Sequence, residues 1–302
     1  MMNAANANTA NTVQNIAVIG SGTMGRQIGM AAAVAGFTAA VQDVSAEAAS
    51  AAEADMRSWL DGRVAKSRMT QSDADAAGSR IRFTTDLADA VGQADLVIEA
   101  ATEKLEVKRS IFAQLGELAP AHAVLATNSS TYGSSEVAEA SGRPAQVCNM
   151  HFFNPALVMK AVEIVRHGGT DADSTVTSDA TVATATAVVE AMGKQHVLLT
   201  KEVPGFVANR LLWAIRAEAL DLVANDVASY QDIDAAAKTA LGHPMGPFEL
   251  MDLVGIDVTY DIRQAAYEIT GDEKDKPHPL IAEKYAAGDY GRKTGKGWYS
   301  YE

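Results

Sequence analysis

Short apolar runs, each stopped by glycine, an acid or a turn, alternate with longer amphipathic stretches through the first two thirds of the chain. The runs at Asn15–Ile19, Phe37–Gln42, Ile81–Thr84, Asp95–Ala100, Ala123–Thr127, Val147–His151 and Val162–Val165 predict strands. Their near-continuous apolar character suits strands buried on both faces. Between them, Met24, Ile28 and Ala31–Ala32 mark one side of a helix ending at Gly36, and Leu105–Leu118 predicts another. Ser45–Arg68, followed by the Thr70-Gln71-Ser72-Asp73 cap, reads as a helical hairpin inserted between strands. A Thr/Ala-rich helix at 174–192 and a strand at Gln195–Thr200 close the alternation. Beyond Val203-Pro204-Gly205-Phe206 the periodicity is helical: Val207–Val223, Gln231–Leu241, Phe248–Ile269 around Gly255, and Pro279–Ala287. The expectation is an α/β Rossmann-like doubly wound sheet with an inserted helical hairpin, followed by an all-helical C-terminal domain. The predicted divisions are a disordered Ala/Asn-rich lead-in over 1–14, the sheet domain over 15–202 and the helical domain over 203–302.

Composition narrows the class of function. The 302 residues are 48% hydrophobic and 21% charged, as in a globular protein with a sizeable core. The formal charge of −13 argues against nucleic acid or an anionic membrane as partner, so an anionic ligand needs a local basic patch. Cys148 is the single cysteine, which excludes an internal disulfide and a cysteine-cluster metal site, and no metal is expected. Its apolar surroundings predict a buried structural thiol. The longest apolar stretch, Gly29–Val41, is too short to span a bilayer, and Met1–Thr12 lacks the basic residues of a targeting segment. A cytoplasmic protein is expected.

Candidate chemistry begins at Gly20-Ser21-Gly22-Thr23-Met24-Gly25, which lies between a strand and a helix. Gly20 allows a tight turn, Gly22 lets backbone approach a pyrophosphate, and Gly25 lets helix pack on strand. The phosphates of a dinucleotide then meet the free N–H groups of the helix N-terminus. Asp43, closing the second strand, is placed to accept from ribose hydroxyls and to repel a 2′-phosphate, which favours NAD over NADP. An ordinary glycine-rich βα turn is the competing reading. Glu103 and Lys108 follow the Leu96–Ala100 strand, where ligands bind in open α/β sheets. Thr127-Asn128-Ser129-Ser130 ends the next strand at the same edge, offering a substrate hydrogen bond or a helix cap. Arg63, Lys66 and Arg68 gather at a helix end, where complementing the helix dipole is the simpler reading and a phosphate handle the sharper one. In Met150-His151-Phe152-Phe153-Asn154-Pro155 a histidine ends a strand, and Glu163 lies in the following one. A strand–turn–strand can bring the two together, and a carboxylate beside an imidazole makes a general base near neutral pH. A satisfied core histidine with a solvated Glu163 reads equally well from these residues alone. Asn209, near the start of the first helix after the break, is a polar candidate with a structural alternative.

Taken together, these motifs resemble the NAD-dependent L-3-hydroxyacyl-CoA dehydrogenases, including the short-chain 3-hydroxybutyryl-CoA enzymes. The resemblance runs from Asn15 to Tyr301 and includes Asn128-Ser129-Ser130, Pro204-Gly205-Phe206 with Asn209-Arg210, Gly242-His243-Pro244-Met245-Gly246-Pro247-Phe248-Glu249 and the terminal Gly291–Tyr299 segment. It implies that His151 takes the proton of a 3-hydroxyl, that Glu163 orients His151, and that Ser130 and Asn209 hydrogen-bond the substrate, with Asn154 beside it. It implies further that Gly20, Gly22, Thr23, Met24, Gly25, Asp43, Glu103, Lys108, Ser130 and Lys293 surround NAD, and that Lys66 and Lys108 lie near the CoA moiety. An acyl-CoA thioester as substrate and a homodimer formed through the helical domain are also implied. Trp59 stands where relatives carry a small polar residue. A dehydrogenase of a sugar acid or free hydroxy acid, and a non-catalytic dinucleotide-binding protein, are the alternatives.

Overall fold

The computed structural model describes residues 13–168 and 175–301, and of Ile269 and Thr270 the backbone only. The chain divides into two compact units between Val207 and Ala208. Of the expected lead-in, residues 1–12 lie outside the described residues, as does Ser174 of the helix predicted from 174. Val13 and Gln14 are already fixed: Val13 packs on the core, and the Gln14 amide donates to Asp95 Oδ2 at 2.9 Å.

The first unit runs β1 (Asn15–Ile19), α1 (Thr23–Val34), β2 (Thr38–Gln42), α2 (Ala46–Ala65), α3 (Gln71–Arg80), β3 (Ile81–Thr84), α4 (Leu87–Val91), β4 (Leu96–Glu99) and α5 (Leu105–Leu118). It continues through β5 (Val124–Thr127), α6 (Ser135–Ala138), β6 (Val147–Phe152), β7 (Ala161–Val165), α7 (Asp179–Ala191) and β8 (Gln195–Leu199). The described strands form one sheet in the order β3-β2-β1-β4-β5-β6-β7-β8. All neighbours are parallel except β6 and β7. Alternate side chains of each strand enter cores on opposite faces: Ile16, Val18, Leu96 and Ile98 on one, Ala17, Ile19 and Val97 on the other. Burial on both faces is why these strands carry continuous apolar runs. From α5, Phe112 and Leu115 are fully enclosed, and truncating Phe112 to alanine would cost about 3–5 kcal/mol by leaving a cavity.

The helical hairpin between β2 and β3 is α2 with α3, closed over Met30, Met56, Leu60, Ala74 and Ala77. Ser45 caps α2 by accepting from the Ala48 amide, and Thr70 caps α3 by accepting from Asp73, as the cap motif predicts.

The second unit contains α8 (Ala208–Ala224), α9 (Tyr230–Thr239), α10 (Pro247–Val254), α11 (Ile256–Thr270) and α12 (Pro279–Ala287). The helical periodicity read over Phe248–Ile269 around Gly255 is carried by two helices, α10 and α11, separated by Gly255, whose φ of +113° lies outside the helical region. Its core is Ala219, Leu220, Phe248, Met251, Ile256, Ile281 and Trp298. Two buried carboxylates tie this core to the chain end. Asp252 accepts from the Trp298 and Tyr299 amides at 2.8 and 2.9 Å, and Asp234 accepts from the Phe248 amide and the Tyr299 hydroxyl, both at 2.9 Å. No helix of the described residues is long and apolar enough to cross a membrane.

Candidate active site

The glycine turn connects β1 to α1, at the carboxyl edge of the sheet. Gly20 has φ +98°, and a Cβ there would lie 2.4 Å from Ala101 Cα, so only glycine fits both the turn and the adjacent chain. A Cβ on Gly25 would meet the Gly20 carbonyl oxygen at 1.7 Å, which fixes how closely α1 approaches the turn. A Cβ on Gly22 would meet nothing within 4 Å, so this glycine faces open space, where a ligand's phosphates can come up to backbone. Helix α1 has neither a side-chain cap nor an acidic residue in its first turn, in contrast to α2, α3, α4 and α7. Its first N–H groups are left for an anion. Thr23 is exposed and Met24 half-buried at this edge.

Asp43 extends from the end of β2. Its Oδ2 accepts from the Ser21 amide and hydroxyl, both at 2.9 Å, and Oδ1 accepts from the Ser45 amide at 3.0 Å. Burial raises its pKa, but the hydrogen bonds from Ser45, Ser21 and Val44 outweigh that and hold it below the usual carboxylate value. Asp43 therefore stays ionised at neutral pH and also anchors the glycine turn. These features together fit NAD: open backbone for the pyrophosphate, and a carboxylate with spare lone pairs for the ribose.

Two strands carry the next pair. In the antiparallel register of β6 and β7, His151 lies directly opposite Glu163. Their side chains meet with His151 Nδ1 2.8 Å from Glu163 Oε2, and only 6% of His151 and 1% of Glu163 is exposed. Glu163 Oε1 accepts from the Val207 amide at 3.0 Å. A carboxylate can only accept here, so the proton sits on Nδ1 and the lone pair on Nε2. Nε2 has no partner among the described residues, and it is not among the enclosed unpartnered atoms. It therefore opens outward, beside the Phe153 and Phe206 rings at 4.5 and 5.6 Å. The antiparallel pairing makes His151 a buried, carboxylate-oriented imidazole, and Glu163 is buried rather than solvated. Asn154, next to the cis Asn154–Pro155 bond, is exposed at the end of the same segment.

The loop after β5 is shaped in detail. Asn128 Oδ1 accepts from the Phe152 amide at 2.9 Å, joining the ends of β5 and β6. Ser129 Oγ donates to Glu103 Oε2 at 2.6 Å and accepts from the Thr131 and Tyr132 amides. Ser129 thus closes a tight side-chain turn, while α6 begins later, at Ser135, with no side-chain cap. Ser130 is half-buried, its amide 3.4 Å from Glu103 Oε1, and its hydroxyl makes no hydrogen bond among the described residues.

Lys108 lies deeper than a ligand handle should. It is 1% exposed, with Nζ 2.7 Å from Glu99 Oε2, 3.4 Å from Thr127 Oγ1 and 3.8 Å from Glu103. Its ammonium neutralises the buried Glu99 at the ends of β4 and β5, so a surface contact with CoA is not its observed state. Lys66, by contrast, is exposed after α2 and makes no ion pair among the described residues. Its neighbour Arg63, in the last turn of α2, bonds the Arg68 carbonyl beyond that helix and lies over the Trp59 ring at 5.6 Å. In the second unit, Asn209 is half-buried in the first turn of α8, and Lys293 is ion-paired with Asp257.

A buried polar cluster behind the loop escapes sequence reasoning. Asn149, fully buried two residues before His151, accepts from the Ser134 amide at 2.6 Å and donates to the Tyr132 carbonyl at 3.1 Å. Ser134 Oγ lies 3.0 Å from His167 Nδ1 and donates to Glu202 at 2.9 Å. Glu202 also takes the Ser135 amide and hydroxyl. A polar residue inside the apolar strand 147–152 is the signal that could have found it.

Comparison with known proteins identifies the family. The model of the 3-hydroxyacyl-CoA dehydrogenase NAD binding domain matches residues 15–203, and that of the 3-hydroxyacyl-CoA dehydrogenase C-terminal domain matches 205–301. The chain is 38% identical over 284 residues to a probable 3-hydroxybutyryl-CoA dehydrogenase of Deinococcus radiodurans, covering 94% of this chain and 99% of that one. It is 37% identical to the 3-hydroxybutyryl-CoA dehydrogenase of Bradyrhizobium diazoefficiens, with 97% of each chain covered. The crystal structure of the (S)-3-hydroxybutyryl-CoA dehydrogenase of Ralstonia eutropha superposes with a TM-score of 0.85 at 34% identity, over 96% of this chain and 99% of that one. With both domain models matched in order and relatives covered end to end, the chain belongs to the 3-hydroxyacyl-CoA dehydrogenase family.

Proposed function

We propose that this protein is an NAD-dependent dehydrogenase that interconverts short-chain (S)-3-hydroxyacyl-CoA and 3-ketoacyl-CoA thioesters, with His151 as the general base. The observation that carries this reading is the 2.8 Å contact of His151 Nδ1 with buried Glu163, which leaves Nε2 free at the strand end. His151 Nε2 takes the proton of the substrate's 3-hydroxyl as the C3–O bond becomes a carbonyl. Bound NAD supplies the acceptor for the hydride that leaves C3. Glu163 holds the Nδ1 proton and stabilises the imidazolium, so the base keeps one orientation in both directions. In the reverse direction the imidazolium returns its proton to the keto oxygen. The unengaged Ser130 hydroxyl and the Asn209 amide are assigned hydrogen bonds to the substrate's oxygens, and Asn154 is assigned a further substrate contact. Exposed Lys66 is assigned to a CoA phosphate; Glu103 and Lys293 are assigned to the cofactor side, with buried Lys108 holding Glu99 behind Glu103.

The glycine turn, with Asp43 ionised next to it, supports NAD over NADP, because a 2′-phosphate would meet a like charge. Exposed Leu211, Leu253 and Val254 of the second unit support a homodimer formed through that unit. The one cysteine, buried and unpaired, is consistent with a reducing compartment such as the cytoplasm.

The deciding experiment is oxidation of NADH by purified protein with acetoacetyl-CoA and longer 3-ketoacyl-CoA thioesters, repeated with NADPH. Turnover of acetoacetyl-CoA with NADH is expected, and His151→Ala should lower kcat by about 10²–10⁴ while NADH still binds. Inactivity toward every thioester would remove the proposal. Equal turnover of free 3-hydroxy acids would move it to the free-acid class.

A further inference from the structure

A cavity of about 700 Å³ lies wholly within the second unit, walled by Trp213, Leu220, Ile262, Pro279 and Ile281. Arg216 of α8 also lines it, and only 9% of that residue is exposed. The other cations of the wall have counter-ions. Arg263 is 3.4 Å from Asp275, Lys274 is 2.6 Å from Asp272 and Lys276 is 2.8 Å from Glu273, and the imidazole of His278 lies 3.4 Å from Asp221. Arg216 has no ion pair and no hydrogen bond among the described residues, and its Nε and Nη2 are enclosed without a partner. Burial pulls the Arg216 pKa down to about 10, which leaves it charged at neutral pH. A buried guanidinium without an anion is strongly unfavourable, and native structures rarely retain one unanswered.

We propose that this cavity binds an amphipathic organic monocarboxylate, its carboxylate on Arg216 and its apolar body between Trp213 and Ile262. The planar guanidinium fork matches a carboxylate in two parallel hydrogen bonds. One uncompensated cation neutralises one negative charge, so a monoanion suits the site better than a phosphate dianion. The volume lies within the range of small-molecule pockets, and an apolar wall around a single charged anchor is their usual composition. Binding here is independent of the dehydrogenase reaction, so turnover is not the readout.

The test uses the full-length protein with octanoate as probe, octanamide as its uncharged counterpart and inorganic phosphate as the dianion. Trp213 reports binding by fluorescence, and Trp213→Phe assigns the signal. Octanoate should saturate the signal with an affinity about tenfold better than octanamide, the margin of one charge-assisted contact. Arg216→Met should abolish that preference and leave the protein at least as heat-stable, since it removes an unpaired buried charge. Should Arg216→Met not fold, Arg216→Lys decides, keeping the charge, losing the fork and weakening octanoate selectively. Equal binding of octanoate and octanamide, saturation by phosphate instead, or an unchanged preference in the Arg216 variants would overturn the proposal. So would a lower Tm in Arg216→Met, which would reveal a protein partner for the guanidinium. A changed sedimentation coefficient in that variant would also overturn it, because a second copy of the chain would then be supplying the anion.

Discussion

Replacing Glu163 by glutamine keeps the side chain's volume and removes its charge, which isolates what the carboxylate does for His151. The two carboxylate oxygens serve different donors: Oε2 takes the His151 Nδ1 proton at 2.8 Å, and Oε1 takes the Val207 amide at 3.0 Å. An amide has one accepting oxygen, so Glu163→Gln must leave one donor facing an NH2 group or turn the imidazole to its other tautomer. In the second case Nε2 carries the proton and cannot act as base. In the first, the imidazolium formed during reaction loses its counter-charge in a site only 6% exposed. The loss of one buried charge-assisted hydrogen bond, about 1.5–3 kcal/mol, corresponds to a fall in kcat of about 10- to 100-fold. A tautomer switch would deepen that fall. The assay is steady-state NADH oxidation by acetoacetyl-CoA, with kcat and both KM values measured across pH and a thermal melt run on the same preparation. The expected pattern is a large drop in kcat, an unchanged KM for NADH, and a displaced limb in the pH profile of kcat/KM. A variant that folds like the parent and turns over within about threefold of it, with the same pH profile, would refute the orienting role of Glu163.

Asp43→Ala should weaken NADH binding and narrow the NADH/NADPH preference, because the repelling carboxylate and two anchors of Ser21 are lost together; an unchanged ratio of kcat/KM values for the two cofactors would refute the assignment. His167 has its pKa lowered from 6.5, first by burial and also by the Arg166 charge, while Glu202 and the Thr175 carbonyl raise it. The folded state then holds fewer protons than the unfolded one below pH 6.5, so this contribution to stability is present above that pH and lost as pH falls through the folded value. The urea midpoint should therefore drop on acidification from about pH 8 to about pH 5, and His167→Gln should reduce that drop. Burial pushes the Cys148 thiol up to about 12, so mass spectrometry should find it unalkylated by iodoacetamide in the native protein and modified in urea.

The parts of the site that were legible in the sequence are those whose geometry is imposed locally. At Gly20-Ser21-Gly22-Thr23-Met24-Gly25 the backbone itself sets the requirement, since a Cβ at Gly20 or Gly25 would collide with nearby chain, and such constraints leave the same residues in order wherever the turn occurs. His151 and Glu163 were legible as candidates because a short turn can only return the chain alongside itself; their direct opposition depended on a register that residue types alone do not fix. A lysine just after a strand end reads as available to ligand, whereas Lys108 is buried against Glu99. The sign of that pairing in the sequence is Glu99 closing the apolar run 96–99: a carboxylate enclosed there needs a cation, and Lys108 reaches it. That Gly255 divides two helices is not legible from periodicity, which continues on both sides of a single positive-φ residue. The cluster behind the Ser130 loop had no local sign beyond one amide in a strand. Its members Asn149, His167 and Glu202 lie 15, 33 and 68 positions from Ser134, and each alone reads as a surface polar residue or a cap. Their meaning arises only once the sheet is wound. Asn149 shares a strand face with His151 and holds the Tyr132 carbonyl and Ser134 amide, so the same strand that presents the base also fixes the loop presenting Ser130. Base and loop are thereby held by one rigid element, and neither can shift without disturbing a fully buried amide.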